Sequence, residues 1–169
     1  GPLTGDLFLA PTRAPDELEI SLTLARLGVP TPEIVAYVLY PPGGLLQRSD
    51  VASKEIQSGR DLADILTSDG SPERAAAFAA TAELLGSMAR AGARHADLNA
   101  KNVLLTYETA YVLDVDRMTL GGRPDVVLED NLSRLSRSLR KWRDRFSARI
   151  SERDIVELEA QSRRTFLRS

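Results

Sequence analysis

The chain has 169 residues, of which 43% are hydrophobic and 27% are charged, and this profile is typical of one ordinary globular domain. It contains no cysteine, which excludes disulfide frameworks and thiolate metal sites. No apolar run reaches the ~20 residues that a membrane-spanning helix needs, and no secretory signal pattern opens the chain. We therefore expect a cytoplasmic protein.

The net charge of −2 is unevenly distributed along the chain. Residues 131–169 contain 11 lysines and arginines against 5 aspartates and glutamates, whereas residues 1–130 contain 11 against 19. A basic C-terminal third can face the phosphates of anionic lipids. A solvated helix face is the simpler interpretation, and the sequence alone slightly favours it.

The first predicted elements are a helix and a β-hairpin. Ala14-Pro15-Asp16-Glu17 opens the helix with a proline and two acids, which suit a first helical turn, and Gly28 ends it. Residues 34–40 are β-branched and aromatic enough to predict a strand. Pro41-Pro42-Gly43-Gly44 predicts a turn, and residues 45–56 predict the partner strand.

Two further helices precede the most informative stretch of the chain. Residues 61–66 predict a short helix, and residues 71–91 predict a long alanine-rich helix that ends at Gly92. Apolar residues recur three and four positions apart along the long helix and predict a stripe that packs in the core: Phe78, Ala82, Leu85 and Ala89.

The stretch His95-Ala96-Asp97-Leu98-Asn99-Ala100-Lys101-Asn102 runs into an apolar segment. A histidine, an aspartate two residues later and an asparagine five residues beyond that are typical of a kinase catalytic loop. Residues 103–105 and 111–113 predict a hairpin. This hairpin would bring Asp114 back beside Asn102.

Three side chains of this region suit phosphoryl transfer from ATP. The reaction needs a carboxylate that accepts the proton of the attacking hydroxyl, and oxygen ligands for Mg²⁺. Asp97 fits the first role, whereas Asn102 and Asp114 fit the second. Ordinary turn residues and a strand-end cap are the alternative interpretation. That alternative leaves the convergence of three oxygen-bearing side chains unexplained.

Arg94-His95-Ala96-Asp97-Leu98-Asn99-Ala100 and the later Asp114-Val115-Asp116 resemble the catalytic loop and metal motif of the Kdo kinases. These enzymes phosphorylate 3-deoxy-D-manno-octulosonic acid (Kdo) in the inner core of lipopolysaccharide. Protein kinases, which the family resembles in fold, have His-Arg-Asp-Leu and Asp-Phe-Gly at these places, and aminoglycoside phosphotransferases usually have His-Gly-Asp. The resemblance extends from about Leu3 to Leu139.

The resemblance implies an α+β, protein-kinase-like fold that is mostly the helical C-terminal lobe. Residues 1–56 are expected to form a partial N-terminal lobe as far as the hinge, and residues 57–169 to form the C-terminal lobe. The sequence lacks the glycine-rich loop over the phosphates and the strand lysine that contacts them. We therefore expect a truncated N-terminal lobe, and an activity that requires further N-terminal residues.

The resemblance also implies ATP and Mg²⁺ as cofactors and assigns catalytic and metal residues. Asp97 would be the base, and His95 would belong to the catalytic set as the structural anchor of the loop. Asp116 would join Asn102 and Asp114 around the metal or contact the acceptor.

The resemblance places the nucleotide site in the N-terminal third of the chain. Glu17 corresponds to the helix glutamate that pairs with the ATP-contacting lysine, although a plain first-turn acid is an equally good interpretation. The hinge residues Ala52, Ser53 and Glu55 are expected near the adenine.

Residues 131–150 predict an amphipathic helix whose cations fall roughly opposite its apolar side. Trp142 and Phe146 are expected on the apolar side. A capping box at Ser151 and Asp154 then predicts a last helix that runs to about Phe166. The cations are the expected contact with an anionic membrane surface: Arg134, Arg137, Lys141 and Arg145.

The expected function is ATP-dependent phosphorylation of a sugar hydroxyl in the lipopolysaccharide inner core. The resemblance favours the 4-hydroxyl of Kdo, with the glycolipid Kdo–lipid A as partner substrate and no nucleic acid. Heptose or another small molecule is the alternative acceptor. A kinase-like fragment or pseudokinase that serves as a binding module is the alternative function. The expected location is the cytoplasm, at the inner face of the inner membrane.

Overall fold

The computed structural model describes residues 7–9, 14–39, 46–68, 71–107 and 109–168. The turn predicted at 41–44 lies outside the described residues. Within them, short antiparallel sheets alternate with helices, so the described part of the molecule is an α+β structure. None of the helices in these ranges is long and apolar enough to cross a membrane.

The N-terminal elements are a three-stranded antiparallel sheet and a helix. Strand β3 (Leu46–Ser53) lies between β1 (Leu7–Leu9) and β2 (Ile34–Leu39). Helix α1 (Ala14–Arg26) ends just before Gly28, which adopts a left-handed φ of +73°. The predicted helix and hairpin are therefore confirmed.

Strand β3 is shorter than the sequence predicts. It ends at Ser53 rather than at residue 56, and the Lys54 N–H donates to the Glu33 carbonyl at 2.7 Å. Glu33 directly precedes β2, so no residue of β2 is left to pair with the chain beyond Ser53. The chain after Lys54 leaves the sheet toward the helical part of the molecule.

The middle of the chain contains two helices. Strand β4 (Arg60–Asp61) leads into α2 (Leu62–Thr67), whose N-terminus is capped by Asp61, because its Oδ1 accepts from the Asp64 N–H at 2.7 Å. Helix α3 (Ser71–Arg90) follows. Its predicted stripe is confirmed, with Phe78 partly buried and three residues fully buried: Ala82, Leu85 and Ala89.

The irregular region after α3 is held by two small antiparallel sheets. Strand β5 (Arg94–His95) pairs with β8 (Met118–Thr119). Strand β6 (Val103–Leu105) pairs with β4 and with β7 (Ala110–Val112), which confirms the predicted hairpin. Two 3-10 turns lie in the connections: Ala100–Asn102 and Val115–Arg117.

Helix α4 (Pro124–Phe146) differs from its prediction at both ends. It begins seven residues before the predicted start at Asn131, because Pro124 and Asp125 form a favourable first turn. It ends four residues before the predicted end at Ile150, because Ser147 adopts a left-handed φ of 55°. The spacing of apolar residues did not reveal either boundary.

Helix α5 (Glu152–Leu167) agrees with its prediction. The capping box is present, because Ser151 Oγ accepts from the Asp154 N–H at 3.2 Å and Asp154 Oδ2 accepts from the Ser151 N–H at 2.7 Å. Helix α3 packs against α4 and α5, and α2 and the β6–β7 hairpin also pack on it. This helical body supports the irregular region that contains the motif residues, and its fully buried members include Leu62, Leu66, Leu85, Met88, Leu135, Leu139 and Ile155.

Candidate active site

His95 anchors the predicted catalytic loop from a fully buried position. Its Nδ1 accepts a hydrogen bond from the Asp97 N–H at 3.1 Å, and its Nε2 lies 3.0 Å from the Leu113 carbonyl. Because Nδ1 accepts, the ring proton belongs on Nε2, which donates to Leu113. The imidazole thus joins the backbone of Asp97 to the residue that precedes Asp114, as an anchor of the loop would.

The environment of His95 favours this neutral ring. Burial lowers the pKa of His95, while the Leu113 carbonyl and the negative charges of Asp114 and Asp97 act in the opposite direction. The net result is a pKa below the ordinary value for histidine. His95 therefore keeps one donor and one acceptor, which are the two functions that the loop uses.

Asn131 of α4 holds the start of the loop from 36 residues away in the sequence. Its Oδ1 accepts from the His95 N–H at 3.1 Å, and its Nδ2 donates to the Ala93 carbonyl at 3.1 Å. The side chain is fully buried and both of its polar atoms are bonded. The sequence does not predict this role, because the two partners lie 36 and 38 residues away and no local pattern links them to Asn131.

Two more residues of α4 fix the same loop. Ser138 Oγ accepts from the Ala100 N–H at 3.1 Å. Arg134 Nε donates to the Ala96 carbonyl at 3.0 Å, and its Nη1 donates to the Asp130 carbonyl at 3.0 Å. Helix α4 is therefore the scaffold on which the loop is positioned.

Asn102 lies directly beside Asp97, as the spacing predicts. Its Nδ2 donates to the Asp97 carbonyl at 3.1 Å, and the residue is 7% exposed. The Asn102 carbonyl accepts from the Leu113 N–H at 2.9 Å, which places Asp114 next to it. Because Nδ2 is engaged, Oδ1 is the atom of Asn102 that remains to bind a cation. The Asp97 residue itself is exposed.

Asp114 adopts a left-handed conformation, with φ 53° and ψ 50°. This region is sparsely populated by residues other than glycine, although aspartate tolerates it better than most. The conformation starts the 3-10 turn that contains Asp116, whose Oδ2 lies 3.5 Å from Arg117 Nε. The Arg117 carbonyl accepts from the Ala96 N–H at 2.8 Å, so this turn and the catalytic loop are held together.

Glu17 approaches the same turn from α1. Burial raises the pKa of Glu17, and the negative charges of Asp116 and Asp114 raise it further. Glu17 therefore lies within electrostatic range of Asp116 and Asp114, where α1 packs on the 3-10 turn. The charges that act on Glu17 come from these aspartates and not from a lysine. Both interpretations of Glu17, the lysine-pairing glutamate and the plain first-turn acid, therefore stay open.

Asn102, Asp114 and Asp116 form the predicted donor set for Mg²⁺. Within the described ranges, no group of three or more histidine, cysteine, aspartate or glutamate side chains is arranged to hold a metal ion. The predicted set is of another kind, because it combines two carboxylates with an amide oxygen. Magnesium typically binds one or two carboxylates and completes its shell with waters and phosphates. The chemistry of the set therefore fits a magnesium–nucleotide complex.

The predicted hinge residues lie at the end of β3 and just beyond it. Ala52 pairs with Ala36 and Ser53 with Ile34, and Glu55 follows them in an exposed, extended segment. The chain then passes Gly59, where an added Cβ would lie 2.9 Å from the Leu104 side chain of β6. The segment thus bridges the N-terminal sheet and the β6–β7 hairpin, and its role at the adenine stays a prediction.

A groove of about 660 Å³ lies between the catalytic loop and α4. We call it the basic groove. Asp97 is the only acid among the described residues that line it. Its walls include four cations: Lys101, Arg134, Arg137 and Lys141.

The two aromatic residues of α4 also line this groove. Trp142 is partly buried and packs against the core, as its place on the apolar side predicts, whereas Phe146 is 50% exposed. Their ring centroids are 4.5 Å apart, and Lys101 Nζ lies 5.7 Å from the Trp142 ring centroid. Of the four predicted surface cations, Arg134, Arg137 and Lys141 line the groove, whereas Arg145 is not among the lining residues.

The model of the Lipopolysaccharide kinase (Kdo/WaaP) family matches residues 6–161. The chain belongs to this family. A 3-deoxy-D-manno-octulosonic acid kinase of Vibrio parahaemolyticus is 30% identical over 150 residues, which cover 83% of this chain and 61% of the relative. A kinase of the same name from Stenotrophomonas maltophilia is 33% identical over 148 residues, which cover 87% and 58%. The chain thus spans about three fifths of the curated relatives it matches.

A solved structure of the family confirms the fold. The structure of WaaP in complex with acyl carrier protein matches with a TM-score of 0.62 and 21% sequence identity, over 90% of this chain and 65% of that chain. The predicted α+β, protein-kinase-like fold is therefore correct. The division at residue 56 and the roles of the individual site residues remain predictions.

Proposed function

We propose that this chain provides the catalytic part of an ATP-dependent kinase that phosphorylates a sugar hydroxyl of the lipopolysaccharide inner core. The observation that carries the proposal is that Asp97, Asn102 and Asp114 lie close together. Hydrogen bonds within their own loops hold them there. Family membership and relatives named as Kdo kinases support it. Use of ATP follows from the kinase chemistry of the family.

Asp97 is the proposed base. Its carboxylate accepts the proton of the acceptor hydroxyl while the acceptor oxygen bonds to the γ-phosphorus of ATP, and the bond from that phosphorus to the bridging oxygen of ADP breaks. Asn102, Asp114 and Asp116 would hold Mg²⁺. The ion would supply charge neutralisation for the phosphates. Catalysis then depends on position and electrostatics, since no covalent enzyme intermediate is needed.

The N-terminal elements are proposed to bind the nucleotide. Residues 1–56 would form the partial N-terminal lobe, and residues 57–169 the C-terminal lobe. The adenine would lie against the hinge residues Ala52, Ser53 and Glu55, where backbone groups supply the recognition. Glu17 would face the phosphate side of the site, because α1 brings it to the turn that contains Asp116.

The proposed acceptor is the 4-hydroxyl of Kdo in the glycolipid Kdo–lipid A. Two relatives named as Kdo kinases support this choice over heptose or another small molecule. We also propose that the protein works at the inner face of the inner membrane, where exposed cations of α4 meet anionic lipid. Arg134 is committed to the loop, and Arg137 and Lys141 line the groove beside Asp97, so Arg145 is the predicted cation that is left for lipid.

The test is transfer of labelled γ-phosphate from Mg²⁺-ATP to Kdo–lipid A by this chain and by a form extended at the N-terminus, with Asp97→Ala made in each. We expect transfer by the extended wild type and its loss in the extended variant, while circular dichroism shows an unchanged fold. Equal transfer by both proteins would contradict the role of Asp97. Transfer to a heptose acceptor alone would make heptose, and not Kdo, the acceptor. No transfer to either acceptor would favour a binding module.

A further inference from the structure

Two cations of the basic groove have no acid partner among the residues that the structure describes. Arg137 and Lys141 lie four residues apart on α4, and both are exposed. Like charges at this spacing destabilise a helix, because the side chains are neighbours on its surface. In the described part of the chain, each acid of α4 pairs with another cation: Asp125 with Arg123, Glu129 with Arg163, Asp130 with Arg94, and Asp144 with Arg143.

The other cations of the groove already have contacts within the molecule. Arg134 donates to the Ala96 and Asp130 carbonyls. Lys101 lies over the Trp142 ring at 5.7 Å. Arg137 and Lys141 are therefore the two cations of the groove that remain for a bound anion.

Position and shape connect these two cations to the reaction. The groove has Asp97 on its opposite wall, so a ligand bound there can present a hydroxyl to the proposed base. Trp142 and Phe146 add an apolar wall that suits the C–H face of a sugar ring. The groove therefore suits a ligand with a hydroxyl, an apolar ring face and an anionic group. An acidic sugar has all three.

We propose that the basic groove is the acceptor subsite, and that Arg137 and Lys141 bind the carboxylate of an acidic sugar whose hydroxyl faces Asp97. The inference rests on the proposed kinase function and adds the residues that determine its acceptor. Charge-assisted hydrogen bonds from a guanidinium and an ammonium are strong and specific for such a group. The carboxylate holds the ring in the orientation that brings one hydroxyl to the base.

The only tryptophan of the chain, Trp142, lies in the groove and reports directly on binding there. Emission of the full chain is titrated with free Kdo, with its methyl ester, and with a glucosamine phosphate that carries the phosphate of a lipid headgroup. The same titrations are made with the double variant Arg137→Gln/Lys141→Gln. The matched control is Arg145→Gln, an exposed cation of α4 that does not line the groove.

We expect free Kdo to change the emission saturably, with affinity at least about tenfold weaker in the double variant and unchanged in the control. The methyl ester should bind the wild type as weakly as free Kdo binds the double variant. Equal affinity for acid and ester, an equal loss in Arg145→Gln, or no emission change with Kdo would overturn the proposal. Tighter binding of the glucosamine phosphate than of Kdo would overturn the carboxylate assignment.

Transfer kinetics separate this inference from the proposed function. The double variant should raise KM for the acidic acceptor and leave KM for ATP unchanged, with a smaller effect on kcat. If the wild type transfers phosphate and the double variant has an unchanged acceptor KM, the groove assignment fails while the kinase stands. If Kdo binds in the groove and no acceptor is phosphorylated, the kinase function fails instead.

Discussion

The two walls of the basic groove are built differently. One wall is the predicted catalytic loop, an irregular segment whose backbone N–H groups donate to Asn131, His95 and Ser138 in buried or partly buried hydrogen bonds. The other wall is the regular helix α4, whose groove cations Arg137 and Lys141 are exposed. Internal hydrogen bonds therefore fix the position of the loop wall, whereas exposed side chains of the helix wall can bind a ligand. Substitutions should affect stability at the first wall and recognition at the second.

The largest expected effect concerns Asp114, which joins the loop wall to the metal set. Asp114→Gly should lower phosphate transfer by about 10²–10³-fold, because a proposed metal ligand is lost. The same change removes the side chain from a left-handed position, so Asp114→Gly should be more stable than Asp114→Ala by about 1 kcal/mol. Thermal unfolding and transfer assays of both variants measure the two effects. Wild-type transfer in either variant would remove Asp114 from the metal set.

Asn131→Leu tests the buried brace of the loop wall. The leucine leaves the buried His95 N–H and Ala93 carbonyl without partners, so the free energy of unfolding should fall by roughly 2–4 kcal/mol. Urea denaturation measures the change, and Ser133→Ala on the exposed face of α4 is the control. A loss no larger than that of the control would mean that the Asn131 hydrogen bonds contribute little to the free energy of unfolding.

The pH dependence of stability gives a smaller effect with a definite sign. The pKa of His95 is lowered in the folded state, so the unfolded chain binds the proton first as the pH falls below the ordinary value of 6.5. Stability is therefore full above this value and decreases toward the folded pKa, by at most about 1.4 kcal/mol per pH unit. Glu17 has a raised pKa and contributes the opposite sign, because its contribution is present below its ordinary value of 4.5 and is lost as the pH rises toward the folded pKa.

His95 is the only histidine, so comparison with a His95 variant separates its part of this pH dependence from that of Glu17. Urea denaturation between about pH 5.5 and about pH 7.5, one unit either side of the ordinary value, is the measurement. His95→Gln is the control, because glutamine keeps a donor and an acceptor without titrating in this range. A slope that persists in the variant would contradict the assignment.

The smallest effects should separate two arginines three positions apart on α4. Arg134→Ala removes the bond to the Ala96 carbonyl and should cost about 1 kcal/mol of unfolding free energy. Arg137→Ala removes a like-charge neighbour of Lys141, so its stability should stay within about 0.5 kcal/mol of the wild type. Thermal melts of the two variants test this. A larger loss in Arg137→Ala than in Arg134→Ala would reverse the comparison of the two walls.

The sequence predicts well what local spacing determines. The catalytic loop, the β6–β7 hairpin and the return of Asp114 beside Asn102 all follow from residues within about twenty positions of one another. Helix α1 and the capping box of α5 likewise depend on residues that are close in sequence.

The sequence does not predict contacts that depend on the tertiary arrangement. Asn131 and Ser138 meet the catalytic loop across 36 and 38 residues, and no local pattern reveals that contact. Trp142 continues the apolar stripe of α4 and packs against the core as a partly buried side chain, but its second position, in the wall of the groove, depends on the tertiary arrangement. The cations of α4 were predicted as one surface, and only the fold separates Arg134, which braces the loop, from Arg137.

The most direct test of the central claim separates chemistry from binding at Asp97. The isosteric Asp97→Asn variant is compared with the wild type for Mg²⁺-ATP affinity and for phosphate transfer to Kdo–lipid A in the same preparation. The account predicts unchanged nucleotide affinity and a loss of transfer of about 10²–10⁴-fold, because the carboxylate acts on the acceptor proton. Transfer at the wild-type rate would contradict it.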